Sequence, residues 1–331
     1  MSDSTDSSSP TTFSEILVDT SEKTDKTSAV DQISHWSEKQ GRFFRRLLIP
    51  SVVLLTMITI LPVIFLIVTS FTSWDLSRPG SLQFVNIENY TRIFTRDARF
   101  WNSVIVQLKL SLLTVPAQIL LGLGLAVFIK ERFKGGWLTE VARSTLLIPM
   151  VIPPIVAALI WKIIFTPPVS IISYISSEMG FGPLNWLGDA DLALVAIAIA
   201  GVWEFFPFSF LILYAGLLSL PEEPFEAATV DGATGWQTFW YLTFPMMVPT
   251  ISIVLLFRII DSIRAFPLIY VMTQGGPGFA TEPTNFYAYT QAFTYTYVGY
   301  SSAMIIVVLG FTILLTGLIL SRITWHRGAM S

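Results

Sequence analysis

Six apolar runs, each long enough to cross a lipid bilayer, limit this chain more than any other feature in it. A membrane helix needs about 20 apolar residues to span roughly 30 Å of hydrocarbon. The runs are Ile49 to Phe71, Ser103 to Ile129, Ser144 to Phe165, Leu192 to Leu217, Val248 to Val271 and Ser302 to Ile323. Backbone polar groups in lipid must be satisfied internally, and segments of this length do so as helices. The expected fold is an all-α membrane protein, a bundle of six transmembrane helices. Composition agrees, because only 13% of the 331 residues are charged, about half the share in a soluble domain. Pro116 lies inside the second run, Pro153 and Pro154 inside the third, and Pro267 inside the fifth. Carbonyls freed by such prolines need partners from neighbouring helices or a wet cavity, so these spans are expected to pack together.

Several chemistries are excluded early. The chain has no Cys, which removes disulfides, thiolate-ligated zinc and thiol nucleophiles. Its two histidines, His35 and His326, fall outside the apolar runs, which argues against a catalytic triad or a multi-His metal site. No metal is expected. A net charge of −3 gives no reason to expect nucleic acid. No GxxxxGK[ST] phosphate loop occurs, so ATP hydrolysis by that route cannot be this chain's work. Residues 1–40, rich in Ser, Thr, Asp, Glu and Lys, read as a disordered cytoplasmic tail without a cleavable signal peptide. Residues 41–331 read as the membrane domain.

Lys and Arg set the orientation. Lys39, Arg42, Arg45 and Arg46 precede the first run; Lys130, Arg132, Lys134 and Arg143 lie between the second and third; Arg322 and Arg327 close the chain. Against them stand Arg78, Arg92, Arg96 and Arg99 in the first external loop. The balance places both termini in the cytoplasm of a multi-pass protein in the plasma (inner) membrane. One cytoplasmic connection then breaks the charge rule. Residues 219–247, between the fourth and fifth runs, carry Glu222, Glu223, Glu226 and Asp231 and no Lys or Arg.

That loop reads LPEEPFEAATVDGATGWQTFWYLTFPMMVP. Pro224 suits a first helical turn, and the acids favour the positive end of a helix dipole. Ala227 and Ala228 give the helix a small-residue face, and Gly232 after Asp231 supplies a turn. A second short helix is expected from about Trp236. A helix of this kind at a membrane surface suits another protein's groove; the bland alternative is an ordinary interfacial connector.

The spacing resembles the EAA loop of ABC importer permeases. Glu226-Ala227-Ala228 is followed after three residues by Gly232, and the segment closes on Leu242-Thr243-Phe244-Pro245. Ile and Leu of the family's ending are replaced here by Leu242 and Phe244, which keeps the apolar character. Beyond the loop, Asn185-Trp186-Leu187-Gly188 and Thr273-Gln274-Gly275-Gly276-Pro277 are similar to the maltose-type carbohydrate branch, in its short form without the large external domain. The resemblance covers roughly Phe43 to Trp325. It implies a type I permease bundle in which Glu226, Ala227, Ala228, Asp231, Gly232, Ala233 and Pro245 serve coupling to an ATPase. It also implies a second permease subunit, two ATPase subunits and an extracellular or periplasmic solute-binding protein. No cofactor is expected in this chain, with ATP and Mg on the partner ATPase.

Solute contacts are sought among intramembrane polar groups, which are expensive and mark partners or aqueous paths. Arg258, Asp261 and Arg264 recur at i, i+3 and i+6 on one helical face. The stripe suits a polyol through bidentate hydrogen bonds, or an anion, or it clamps helices. The fourth run offers Gly201, Trp203, Glu204, Phe205 and Phe208, aromatics and an acid fit for sugars or for ordinary packing. By the resemblance, Gly201, Glu204, Phe205, Phe208, Arg258 and Ser262 fall where a midmembrane sugar cavity is contacted. Gln107, Lys109, Gln118 and Lys162 are weaker candidates. Phe286, Tyr289 and Phe293 share a face outside, fit for a binding protein or for the membrane interface. The function implied is a permease moving a sugar, polyol or related solute inward by alternating access. The alternative is a secondary transporter using Asp261 or Glu204 as a proton or cation site. A membrane-embedded enzyme is disfavoured by the thin supply of catalytic groups.

Overall fold

The computed structural model describes residues 43, 46–132, 136–167, 170–180 and 184–328. The expected tail, 1–40, lies outside the described residues, as do Lys39, Arg42, Arg45 and Lys134. The chain divides into two units, Met1–Phe65 and Leu66–Ser331. An apolar helix, α1 (Arg46–Ser70), makes up most of what is described of the first unit and ends within the second. Leu54, Leu55, Ile58 and Leu61 are among its exposed side chains.

The second unit is helical. It comprises α2 (Glu88–Thr95), α3 (Ala98–Arg132), α4 (Trp137–Val151), α5 (Pro154–Phe165), α6 (Ile171–Glu178) and α7 (Ala190–Leu218). Then come α8 (Glu223–Val230), α9 (Gly235–Thr238), α10 (Phe244–Ser262), α11 (Phe266–Met272), α12 (Thr284–Tyr289) and α13 (Val298–Gly328). Two π-helical turns, Phe239–Thr243 and Thr290–Thr294, join α9 to α10 and extend α12. Among the described residues, five helices are long and apolar enough to cross a membrane, and the α4–α5 pair makes a sixth span if the two count as one.

The prolines act unequally. The third run is not one straight helix: α4 and α5 meet at 91°, because Pro153 and Pro154 cannot donate to the preceding turn and Pro154 starts the next helix. The fifth run also departs from expectation. Its helix begins earlier, at Gly235, and runs to Ser262. It then breaks, and α11 restarts with Pro267 in its first turn. Pro116, by contrast, stays inside an unbroken α3 of 35 residues.

The core centres on the crossing of α3 and α7. A Cβ on Gly122 would stand 2.7 Å from the Phe210 amide nitrogen and 2.9 Å from the Ser209 Cβ, so only glycine permits this approach. In lipid, where no hydrophobic force drives helices together, such small-residue contacts carry association. One apolar cluster, with Val115, Ile119, Phe210, Leu213, Met247 and Val254, joins α3, α7 and α10. A second, with Leu110, Phe165, Ile197, Leu268 and Ile269, joins α3, α5, α7 and α11.

The end of the unit nearest α12 is tied by polar groups. Arg99 and Glu282 form a bidentate pair, Nε to Oε2 at 2.7 Å and Nη2 to Oε1 at 2.8 Å. The same guanidinium sits 3.8 Å from the Phe279 ring centroid. Asp97 accepts from the Phe100 amide at 2.9 Å, capping α3, and from the hydroxyls of Tyr287 and Tyr300. Burial, then that carboxylate, holds the Tyr287 phenol well above its ordinary range. These bonds fix the loop after α11 against the start of α3.

Candidate functional site: a polar intramembrane cavity and an exposed helical hairpin

Where α10 stops, its last carbonyls need donors. Gln107 of α3 supplies one: its Nε2 donates to the Ser262 carbonyl at 3.1 Å and to Ser111 Oγ at 3.2 Å. Ser111 and Ser262 hydroxyls also meet at 2.9 Å. This broken helix end opens a cavity of about 30 Å³ between α3, α7, α10 and α11. A space of that size holds water but not a sugar ring.

The cavity is lined by Leu110, Thr114 and Gln118 of α3, Ile197, Gly201 and Phe205 of α7, and Arg258, Asp261, Ser262, Ala265 and Leu268 beyond. Arg258 is nearly enclosed, with 3% of its side chain exposed, and its Nη2 donates to Asp261 Oδ2. Its guanidinium carbon lies 4.4 Å from the Phe208 ring centroid and 5.4 Å from that of Phe205. Cation, carboxylate and two aromatic faces thus make one unit, which is how a charge endures in a low-dielectric interior. Gln118 Nε2 donates to the Gly201 carbonyl at 2.9 Å, bracing α3 against α7.

The structure gathers Gly201, Phe205, Arg258, Asp261 and Ser262 around the cavity, with Phe208 stacked behind Arg258. It separates three others from it. Trp203 turns toward α5 and meets Trp161 edge-on at 5.7 Å. Arg264 falls in the break after α10, is exposed, and does not extend the Arg258–Asp261 stripe. The geometric reason is that the 100° advance per residue ends with the helix at Ser262. Glu204 is 1% exposed, with Oε2 lacking a hydrogen-bond partner, and it does not line the cavity. Thr114, Ile197, Ala265 and Leu268 join the lining without having been singled out by sequence.

The acidic loop folds as a helical hairpin. No residue of α8 is buried. Its C-terminus closes in a Schellman turn: the Ala233 amide donates to the Ala228 carbonyl at 2.9 Å and the Gly232 amide to the Thr229 carbonyl at 3.2 Å. Gly232 has φ +74°, which explains glycine there. Thr234 then caps α9 through a capping box with Gln237. Glu226, Ala227, Asp231, Gly232 and Pro245 are exposed, while Ala228 and Ala233 are half-buried. Val230, Trp236 and Tyr241 expose large apolar surfaces beside them. Lys130, at the end of α3, donates to the Leu217 carbonyl at 2.8 Å and stands 5.4 Å from the Phe225 ring centroid. The basic end of α3 and the acidic hairpin therefore share one end of the unit.

The geometry is that of a multi-helix bundle with apolar spans of membrane-crossing length, a polar break in its core and an exposed hairpin at one end. Residues 118–321 match the family described as binding-protein-dependent transport system inner membrane component, and the chain belongs to that family. It is 35% identical to the trehalose/maltose transport system permease protein MalF of Thermococcus litoralis over 241 residues, 71% of this chain and 80% of that one. It is 33% identical to the sulfoquinovosyl glycerol transport system permease protein SmoG of Agrobacterium fabrum over 288 residues, 87% of this chain and 92% of the relative. A crystal structure of a bacterial ABC transporter involved in the import of the acidic polysaccharide alginate contains a chain of the same fold, with TM-score 0.74 and 20% identity, covering 87% of this chain and 98% of that chain. The protein is thus a permease subunit of the ABC importer class, a membrane component and not an enzyme. Membership of a binding-protein-dependent family leaves no support for the ion-coupled secondary transporter that Asp261 or Glu204 suggested.

Proposed function

We propose that this chain forms half of the translocation path of an ATP-driven importer for a carbohydrate or polyol. A second permease subunit supplies the other half. Two ATPase subunits carry ATP and Mg and dock on the hairpin, and a solute-binding protein delivers cargo from outside. Both termini and the hairpin face the cytoplasm, in keeping with Lys130, Arg132 and Arg143 at that end. The observation that carries the reading is the hairpin itself. Glu226 and Ala227 stand exposed on α8, and the Schellman turn at Gly232 fixes their direction. Glu226 pairs with a basic side chain in the ATPase cleft, while Ala227 and Ala228 allow close backbone approach. Glu226, Ala227, Ala228, Asp231, Gly232, Ala233 and Pro245 belong to this coupling element. Closure of the ATPase pair moves the hairpin, and α7 and α10 on either side of it turn to open the cavity to alternate faces.

The carbohydrate reading rests on two supports. The relatives above are named for trehalose, maltose and sulfoquinovosyl glycerol. The cavity offers hydroxyl-binding groups next to Phe205, in the manner of sugar sites. The test is uptake of labelled trehalose by the full complex in proteoliposomes. Uptake that stops without ATP and persists with a proton uncoupler supports the proposal; uptake that follows a proton gradient refutes it.

A further inference from the structure

The cavity's charges come as a matched pair. Arg258 and Asp261 are the ionisable residues among its lining, and they are joined to each other. Arg264, the cation that would have given the site a surplus of positive charge, stands outside it. The two members of the pair are unequally placed: Arg258 is 3% exposed and Asp261 is 40% exposed. A solute arriving in the path therefore meets the carboxylate first and the guanidinium behind it.

The donors have been used in part. Gln118 spends an amide proton on the Gly201 carbonyl at 2.9 Å. Thr114 donates to the Leu110 carbonyl at 2.8 Å, and Ser262 to the Ile259 carbonyl at 2.8 Å. Both hydroxyl oxygens keep acceptor lone pairs. Asp261 adds a partly open carboxylate, an acceptor only. Arg258 Nε is buried without a partner, and the guanidinium keeps further N–H donors beyond the one given to Asp261. The lining thus offers both donors and acceptors around a charge-balanced pair, which suits a hydroxyl-bearing ligand without net negative charge.

We propose that this chain's half of the path selects an uncharged polyhydroxylated solute over an anionic one, and that Asp261 sets the selection by masking Arg258. The inference rests on the carbohydrate-import reading above and narrows it to neutral sugars and polyols. An anionic sugar would face a like charge at the rim with no unmasked cation to offset it, a costly arrangement where screening is weak.

The test compares one skeleton with and without charge. Equilibrium binding of radiolabelled trehalose and trehalose 6-phosphate is measured on the assembled permease–ATPase complex in lipid nanodiscs, with no binding protein present to impose its own preference. The wild type is expected to favour trehalose by about tenfold or more. Asp261→Asn keeps the side chain's shape and unmasks Arg258, so the preference should move toward the phosphate by at least about tenfold. Should that variant fail to assemble, Ser262→Asp adds an acid at the same rim with the pair intact, and the ratio of phosphate to trehalose binding should fall about tenfold further. A wild type that prefers the phosphate, binds neither probe, or shows equal losses of both on substitution overturns the inference. ATP-dependent trehalose uptake by the same complex separates that result from failure of the importer reading, which such uptake would leave standing.

Discussion

Removing the Arg99 guanidinium isolates a buried carboxylate, and the cost can be worked from the structure. Glu282 has 2% of its side chain exposed, whereas Arg99 has 23%. Arg99→Ala therefore leaves a desolvated anion without its two charge-assisted bonds. Breaking a buried pair from one side costs about 3–5 kcal/mol; partial access of water to Arg99 puts this pair at the lower end. Loss of the contact with the Phe279 ring adds roughly 0.5–1 kcal/mol. The sum, about 3–4 kcal/mol, corresponds to a rise on the order of 10² to 10³ in the local opening equilibrium. Glu282→Gln is milder, about 1.5–3 kcal/mol, because the guanidinium left behind can still find water. The double variant should cost less than the sum of the singles, since the stranded charge is gone in it. Amide hydrogen exchange across residues 281–289, in the protein held in nanodiscs, reads the opening directly. Exchange in Arg99→Ala within about threefold of the wild type, or strict additivity in the double variant, would refute the assignment of this pair as the tie between the α3 start and the loop after α11.

Two glycines extend the reasoning to the core and the hairpin. Gly122→Ala should lower thermal stability by about 1–3 kcal/mol as α3 is pushed off α7. Gly124→Ala, where an added Cβ meets nothing within 4 Å, should be neutral or stabilising by up to about 1 kcal/mol; thermal unfolding of the two in detergent checks the contrast. Gly232→Ala strains a left-handed position by about 1 kcal/mol. It should reduce solute-stimulated ATPase activity of the complex severalfold, with the melting temperature of the membrane bundle nearly unchanged.

Hydropathy located the five long apolar helices and the α4–α5 pair that makes a sixth span if the two count as one, because lipid imposes a length and a polarity that side chains declare individually. Geometry within the spans was legible only where backbone chemistry signals it. Pro153 and Pro154 marked a disruption, but whether it becomes a kink or a 91° turn depends on what α5 and α11 pack against. The short helix expected from about Trp236 is present, but its continuity with the fifth span was not legible, because the π turn Phe239–Thr243 that joins them has no sequence signature. In the cavity, Arg258, Asp261 and Ser262 were visible because charge inside lipid is rare. Thr114 and Leu268 were not, since a Thr or Leu facing a cavity looks like one facing a neighbour. Arg264 misled for a definable reason: helical periodicity extends a stripe only while the helix lasts. Glu282 is 183 residues from Arg99, a pairing that no local pattern contains.

The account turns on α8 lying in the ATPase cleft, and the absence of cysteine from the chain makes the direct measurement clean. Ala227→Cys introduces a single thiol on the exposed face of α8, and its cross-linking to the ATPase subunit is followed with and without ATP. A specific cross-link to the ATPase that changes in yield with nucleotide is expected, together with its loss and the loss of solute uptake when Glu226→Arg is added. No cross-link from Ala227→Cys in a complex that still transports, or full uptake in the Glu226→Arg variant, would contradict it.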